Sequence, residues 1–130
     1  MIGLDSDCII DFLRAKQNAI DIISANKGLI ITTEINKFEV IFGIYKRKDM
    51  CEEEKILADK LFSNITVLPF DEGCAKIAAQ QLGNLSKEGN IIDSHDMFVG
   101  AILLKNECPK IITRNIKDYS RIDGIEVISY

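Results

Sequence analysis

The chain begins with Met1-Ile-Gly-Leu-Asp-Ser-Asp-Cys-Ile-Ile-Asp-Phe-Leu13, in which a short apolar run gives way to acids and then to a longer apolar pattern. Residues 1–4 predict a buried strand that ends at Asp5. Apolar residues then recur at helical spacing, so a helix should follow, with Ser6 or Asp7 as its N-cap. A strand leading into a helix through an acidic turn indicates an α/β protein.

The same alternation of strand and helix continues along the chain. Further strands are predicted at residues 29–33, 65–70, 110–113 and 125–128. Further helices are predicted at residues 18–25, 35–45, 52–62, 72–85 (with Asp71 as N-cap) and 94–105. Strands separated by helices pair in parallel through right-handed crossovers. The sequence therefore predicts an α/β fold in one domain over residues 1–130, a three-layer sandwich with a central, mainly parallel five-stranded twisted sheet flanked by helices.

The composition is that of an ordinary globular protein, with 47% hydrophobic and 28% charged residues. No apolar run approaches the roughly 20 residues that cross a bilayer. Residues 1–5 contain no basic segment followed by an apolar stretch, the pattern of a secretion signal, so we expect a cytoplasmic protein with no membrane partner. Four separated cysteines and the single His95 make a zinc site improbable. The net charge of −4 neither supports nor excludes a nucleic-acid substrate.

Four acids are predicted to meet at one rim of the sheet, where the carboxyl ends of parallel strands gather functional groups. Asp5 follows the first strand, Glu39 lies on the helix after the second, Asp96 opens the helix before the fourth, and Asp118 follows the fourth. Clustered carboxylates repel one another unless a cation lies among them, and hard oxygen ligands favour Mg²⁺ or Mn²⁺. Metal-assisted hydrolysis of a phosphate ester is the chemistry indicated. Helix caps and surface positions explain the same acids, so position alone leaves the function open.

Four segments that contain these acids resemble the PIN domain family, in particular the toxins of VapBC toxin–antitoxin pairs. They occur in the family's order and together span nearly the whole chain. They are Ile2-Gly-Leu-Asp-Ser-Asp-Cys-Ile-Ile-Asp-Phe-Leu13, Thr33-Glu-Ile-Asn-Lys-Phe-Glu-Val-Ile-Phe-Gly43, Asp93-Ser-His-Asp-Met-Phe-Val-Gly-Ala101, and Ile112-Thr-Arg-Asn-Ile-Lys-Asp-Tyr119 followed by Gly124-Ile-Glu-Val127.

The resemblance implies a PIN-like fold and an Mg²⁺-dependent endoribonuclease in which Mn²⁺ can substitute. The catalytic acids it implies are Asp5, Glu39, Asp96 and Asp118, of which Asp5 and Asp96 would be the most direct metal ligands. The supporting residues it implies are Thr113, Asn115 and Asp93. It also implies an RNA substrate, a homodimer, and a small antitoxin protein whose tail enters the cleft.

Three positions depart from the family pattern without removing a carboxylate. Ser6-Asp7 stands where the family commonly has Thr and then a small or apolar residue. Asn36 replaces a frequent Thr, and Gly100-Ala101 replaces paired alanines. These departures bear on the subfamily more than on the chemistry.

Two other interpretations remain open at this point. Asp5-Ser-Asp7 resembles the opening of haloacid dehalogenase-like phosphatases, in which Asp5 would be a nucleophile, although that reading leaves Glu39 and Asp118 unexplained. Alternatively, the chain is a non-catalytic PIN-like module that binds proteins. Arg114 and Lys117 are either RNA phosphate ligands or ordinary surface residues.

Overall fold

One parallel sheet organises the molecule, and the computed structural model describes all 130 residues. The strands are β1 (Ile2–Leu4), β2 (Ile30–Thr33), β3 (Thr66–Leu68), β4 (Lys110–Ile112) and β5 (Glu126–Ile128). The helices are α1 (Ser6–Leu13), α2 (Gln17–Ala25), α3 (Glu34–Tyr45), α4 (Glu52–Asn64), α5 (Cys74–Lys87), α6 (Ser94–Lys105) and α7 (Ile116–Tyr119). No helix is both long enough and apolar enough to span a membrane.

The five strands lie in the order β3-β2-β1-β4-β5, and every neighbouring pair is parallel. Gly3 of β1 pairs with Ile31 on one side and Ile111 on the other, so β1 occupies the centre of the sheet. The predicted α/β class with a five-stranded sheet is confirmed, and the sheet is wholly parallel. All strand carboxyl ends therefore open onto one rim, and Asp5 lies at its middle.

Helices cover both faces of the sheet, which produces three layers. Ile111 joins the hydrophobic cluster that contains residues of α5 and α6, whereas its neighbour Ile112 joins the cluster that contains residues of α1, α3 and α4. The alternation follows from the two-residue period of a strand. Helices α1 and α3 therefore border the rim on one face of the sheet, and α6 borders it on the other.

Gly100 of α6 has a packing role that explains one departure from the family pattern. A Cβ at this position would lie 2.7 Å from Ile122 Cδ1, closer than side chains tolerate. Glycine thus allows Ile122, which is buried, to pack against the helix that carries Asp96. The Ile122 side chain fills the space that the methyl group of an alanine at position 100 would occupy.

Three local predictions were wrong. Helix α1 has Asp5 at its N-cap position, not Ser6 or Asp7, because the helix begins at Ser6, with only one residue between it and the strand. Helix α5 begins at Cys74 after Gly73, whose φ of +90° suits glycine; Asp71 pairs with Lys105 instead of capping the helix. Helix α7 was predicted only as a polar segment, because one turn is too short to show a period.

Candidate active site

Asp5 is the most firmly held carboxylate at the rim. Its residue is only 6% exposed, yet three side chains donate hydrogen bonds to it. Asn36 Nδ2 and Tyr119 OH donate to Oδ1 at 2.9 and 3.0 Å, and Thr113 Oγ1 donates to Oδ2 at 2.7 Å. A carboxylate has about four acceptor positions, so at least one remains for a further ligand. The donors fix the direction in which that position points.

The donor from α3 is oriented by the junction between β2 and that helix. Thr33 is the N-cap of α3; its hydroxyl accepts from the Asn36 backbone N–H at 3.2 Å and donates to Asn36 Oδ1 at 2.8 Å. The Asn36 amide nitrogen is thereby turned toward Asp5 and also donates to Ser6 Oγ at 3.0 Å. A fully buried asparagine with every polar atom paired is rigid.

The loop after β4 joins Asp5 to two further acids. Thr113 Oγ1 accepts from the Asn115 backbone N–H at 2.9 Å while donating to Asp5. Asn115 Nδ2 in turn donates to Asp96 Oδ2 at 2.9 Å and to Asp118 Oδ2 at 3.3 Å. One amide group therefore bridges α6 and α7. We call Asp5, Asp96 and Asp118 the central carboxylates.

The other two predicted acids lie at the edge of this group. Glu39 is half-buried; its Oε1 accepts from Ser6 Oγ at 2.8 Å, and its Oε2 lies 3.8 Å from His95 Nδ1. Asp93 caps α6 by accepting from the His95 backbone N–H at 2.8 Å and makes no hydrogen bond to the central carboxylates. The structure thus brings Asp5, Asp96 and Asp118 together, places Glu39 beside them, and leaves Asp93 as a helix cap.

Burial and the charges of neighbouring acids disfavour the charged forms of Asp5 and Asp96. Burial, followed by the charge of Asp5 and the proximity of Asp118, raises the pKa of Asp96 to about 8. Burial also raises the pKa of Asp5, although hydrogen bonds from Thr113 and Tyr119 oppose it. The same surroundings hold the pKa of the buried Tyr119 hydroxyl well above its ordinary value, so that it stays a donor. The rim is therefore short of positive charge.

No basic side chain compensates for that shortage. No lysine or arginine forms an ion pair with Asp5, Asp96 or Asp118. No three acidic, histidine or cysteine side chains converge on a point as a complete metal cage. Mg²⁺ typically binds through one or two carboxylates and keeps its remaining ligands as water or substrate phosphate. The donor set therefore fits a partly hydrated Mg²⁺ and does not fit a closed structural site.

Two residues that hold Asp5 were absent from the predicted site, namely Asn36 and Tyr119. Asn36 shares a buried stripe with Val40 and Ile44, so a polar residue within an apolar stripe at four-residue spacing was the available signal. Tyr119 was recognised only as the aromatic residue of the closing motif. Nothing in the sequence indicated that its hydroxyl reaches across the sheet to residue 5.

Comparison with known proteins agrees with this arrangement. Residues 2–125 match the profile of the PIN domain family. The chain belongs to the PIN domain family. It is 33% identical over 93 residues to Ribonuclease VapC of Rickettsia bellii, a match that covers 70% of this chain and 69% of that relative. The relationship identifies it as a VapC-type PIN domain.

Solved structures of other PIN proteins share the fold. The VapBC2 complex of Rickettsia felis, bound to a promoter DNA fragment, contains a chain with a TM-score of 0.87 and 19% identity, covering 100% of this chain and 99% of that one. FitAcB of Neisseria gonorrhoeae gives 0.83 and 22%, covering 98% and 96%. VapC20 of Mycobacterium tuberculosis, described as a sarcin–ricin-loop-cleaving toxin, gives 0.63 and 14%, covering 85% and 87%.

Proposed function

We propose that this protein is a VapC-type endoribonuclease, the toxin of a toxin–antitoxin pair, and that it cleaves RNA phosphodiester bonds with Mg²⁺. The observation that carries the proposal is the set of central carboxylates, of which Asp5 is buried and Asp96 and Asp118 are partly buried. Thr113 and Asn115 link them by hydrogen bonds, and no lysine or arginine forms an ion pair with them. The curated relative in Rickettsia bellii is named a ribonuclease, and its resemblance to this chain supports the same activity here.

Asp5 and Asp96 are the residues that would hold the metal, with Asp118 adjoining through Asn115. A bound Mg²⁺ supplies charge neutralisation at a phosphoryl group and lowers the pKa of a coordinated water. Mn²⁺ prefers the same oxygen ligands and should substitute. Because Asp5 retains an open acceptor position, its three donors do not compete with this role.

The chain's own residues orient the reacting groups. Asn36, Thr113 and Tyr119 prevent Asp5 from rotating, and Asn115 holds Asp96 and Asp118 at one side of the rim. Glu39 Oε2 has no short hydrogen bond, since its nearest donor is His95 Nδ1 at 3.8 Å. It therefore offers a free carboxylate oxygen, beside the central carboxylates, that can accept a proton from an attacking water.

The phosphatase alternative fits the geometry less well. Both oxygens of Asp5 accept hydrogen bonds from buried side chains, which makes the carboxylate a weaker nucleophile but still leaves it able to act as a metal ligand. No lysine pairs with it, as that chemistry would require. A non-catalytic PIN module remains the outcome to expect if the purified protein cleaves nothing.

A groove beside the central carboxylates supports the antitoxin part of the proposal. It has a volume of about 530 Å³ and lies between α1, α3 and α4. Leu13 and Val40 contribute apolar surface to it, and the charged residues Arg14, Glu39 and Lys46 also line it. An extended or helical tail of a small protein could fill it and cover the rim. Several structural neighbours are VapBC complexes, which supports a protein partner of this kind.

The outer face of α3 supports a homodimer. Phe38, Phe42 and Tyr45 are each about half exposed, and the rings of Phe38 and Phe42 pack edge to face at 5.7 Å. An apolar patch of this kind marks protein contacts more often than bare surface. Sedimentation of wild-type protein and of Phe42→Glu should give a dimer and a monomer; identical masses would contradict this interface. The cytoplasmic location stays a prediction of the sequence.

The experiment for the nuclease uses purified protein free of antitoxin and a single-stranded RNA. Cleavage is expected with Mg²⁺ or Mn²⁺ and should stop with EDTA. Asp96→Asn keeps an oxygen for Asn115 and should abolish cleavage in a folded protein, whereas Asp21→Asn on the exposed face of α2 should change nothing. Equal activity of Asp96→Asn would overturn the site. Phosphate trapped on Asp5 would favour the phosphatase.

A further inference from the structure

A second charged cluster adjoins the central carboxylates, where α1 meets the loop after β4. Asp7 Oδ2 accepts a hydrogen bond from the Arg114 backbone N–H at 2.9 Å. The Arg114 side chain turns back to the same helix, with Nε 3.7 Å from Asp7 Oδ2 and 3.2 Å from Asp11 Oδ2. We call Asp7, Asp11 and Arg114 the flanking clamp. It ties the first turns of α1 to the loop after β4.

Asp11 anchors this clamp within the protein. Its side chain is 2% exposed, and besides Arg114 it is contacted by Lys16 Nζ at 3.0 Å and by the Tyr130 hydroxyl at 2.8 Å. Buried charge is stable only when it is paired and hydrogen-bonded. Two of these contacts, from Lys16 and Tyr130, come from outside the loop that carries Arg114, so they hold Asp11 in place independently of that loop.

Arg114 lies between two residues that hold the central carboxylates. Thr113 before it donates to Asp5, and Asn115 after it holds Asp96 and Asp118. A shift of the Arg114 backbone would move both neighbours, and misplacement by about 1 Å can cost 10²-fold in rate. Asp7 also accepts from the Cys8 backbone N–H at 2.6 Å, so its carboxylate is fixed to α1 as well as to the loop.

We propose that the flanking clamp positions the loop from Thr113 to Asp118 for catalysis, so that Asp7 and Arg114 are positioning residues that do not bind RNA. The inference rests on the proposed nuclease function. The Arg114 guanidinium is directed at two carboxylates that would compete with an RNA phosphate for it. An apolar residue at position 7 would offer no acceptor to the Arg114 N–H. Asp7, which departs from the family pattern, therefore holds the backbone of Arg114 in place.

The kinetic test separates positioning from RNA binding. Asp7→Ala removes every acceptor and should lower kcat about 10–100-fold with KM within about twofold, the usual cost of losing a residue that orients ligands. Asp7→Asn keeps one acceptor oxygen and should fall between Asp7→Ala and the wild type. Asp21→Asn is the matched surface control. A raised KM with unchanged kcat would show that the clamp contacts RNA and would overturn the inference.

Amide hydrogen exchange tests the clamp without any activity. In the full-length, metal-free protein, Asp7→Ala should speed exchange of amides 114–118 about tenfold or more, while amides of α2 and α5 keep their rates. Unchanged exchange of amides 114–118 would overturn the inference even if the protein cleaves RNA. Faster exchange in a protein that cleaves nothing would uphold the clamp and reject the nuclease. If Asp7→Ala does not fold, Asp7→Asn gives the same comparison with a smaller expected effect.

Discussion

The central carboxylates and the flanking clamp are neighbouring groups of acids, and the charge of their buried carboxylates is compensated in different ways. In the clamp, burial would raise the pKa of Asp11, but Tyr130, Lys16 and Arg114 outweigh it and lower the pKa. At the rim, burial and neighbouring acids raise the pKa of Asp96 to about 8. The clamp carries its own cations, whereas the rim lacks them. This is the difference that the proposed function predicts between a structural cluster and a cation-binding site.

The sharpest difference between the two regions should be in activity. Asp96→Asn removes a proposed metal ligand and should lower RNA cleavage by on the order of 10³-fold or more, since several kcal/mol of charge stabilisation is lost. Asp11→Asn leaves the central carboxylates intact and should retain activity within about tenfold. Initial rates on one RNA at saturating Mg²⁺ measure both. Similar losses in the two variants would mean that the regions do not differ in function.

Removal of Asn115 should rank second. Asn115→Ala leaves Asp96 and Asp118 without their shared donor and should lower cleavage about 10–100-fold, as expected for a residue that orients metal ligands. The concentration of Mg²⁺ needed for half-maximal rate should rise at the same time. Asn106→Ala at the C-cap of α6, which removes a local hydrogen bond to the Ile102 carbonyl, is the control. An unchanged Mg²⁺ requirement would argue against this role.

Stability should respond in opposite directions at the two clusters. Asp11→Ala leaves Lys16 and Arg114 without their buried partner and should destabilise the fold by about 2 kcal/mol, the range for hydrogen bonds to charged groups. Asp96→Asn removes a repulsive charge and should leave metal-free protein at least as stable as the wild type at pH 8. Urea unfolding in EDTA measures both. A loss of stability in Asp96→Asn equal to that of Asp11→Ala would contradict the contrast.

Asp96 and Asp11 should also have opposite effects on how the free energy of unfolding changes with pH. These effects should be smaller than those of the substitutions above. Because the folded pKa of Asp96 is raised, its contribution is fully present below the unfolded pKa of about 3.9 and is lost as pH rises toward about 8. Because the folded pKa of Asp11 is lowered, its contribution is present above that value and is lost as pH falls. Each slope is at most about 1.4 kcal/mol per pH unit. In metal-free protein, Asp96→Asn should reduce the change of unfolding free energy between about pH 4 and pH 8, and Asp11→Asn should reduce the change at acidic pH. A variant whose pH profile equals that of the wild type would contradict the pKa shift given for that residue.

The sequence predicted the sheet and the acids of the rim but not what holds them. Strand and helix periods are local, so the α/β order and the convergence of Asp5 with Asp96 and Asp118 follow from the pattern and the parallel topology. The contacts of Asn36, Tyr119 and Arg114 depend on side chains that meet across elements, and no local pattern encodes them. Capping was mispredicted for the same reason: Asp71 had a better partner in Lys105, which lies far away in sequence.

The most direct test of the account is a Mg²⁺ titration followed by thermal unfolding. Binding to the folded state alone raises stability by RT ln(1 + [Mg²⁺]/Kd), so the unfolding midpoint of wild-type protein should rise with Mg²⁺. Asp11→Asn should start lower and rise by the same increment, whereas Asp96→Asn should not rise. Two results would contradict the claim that the central carboxylates form the cation site. One is a wild-type unfolding midpoint that does not change with Mg²⁺; the other is an Asp96→Asn midpoint that rises with Mg²⁺ as much as the wild-type midpoint does.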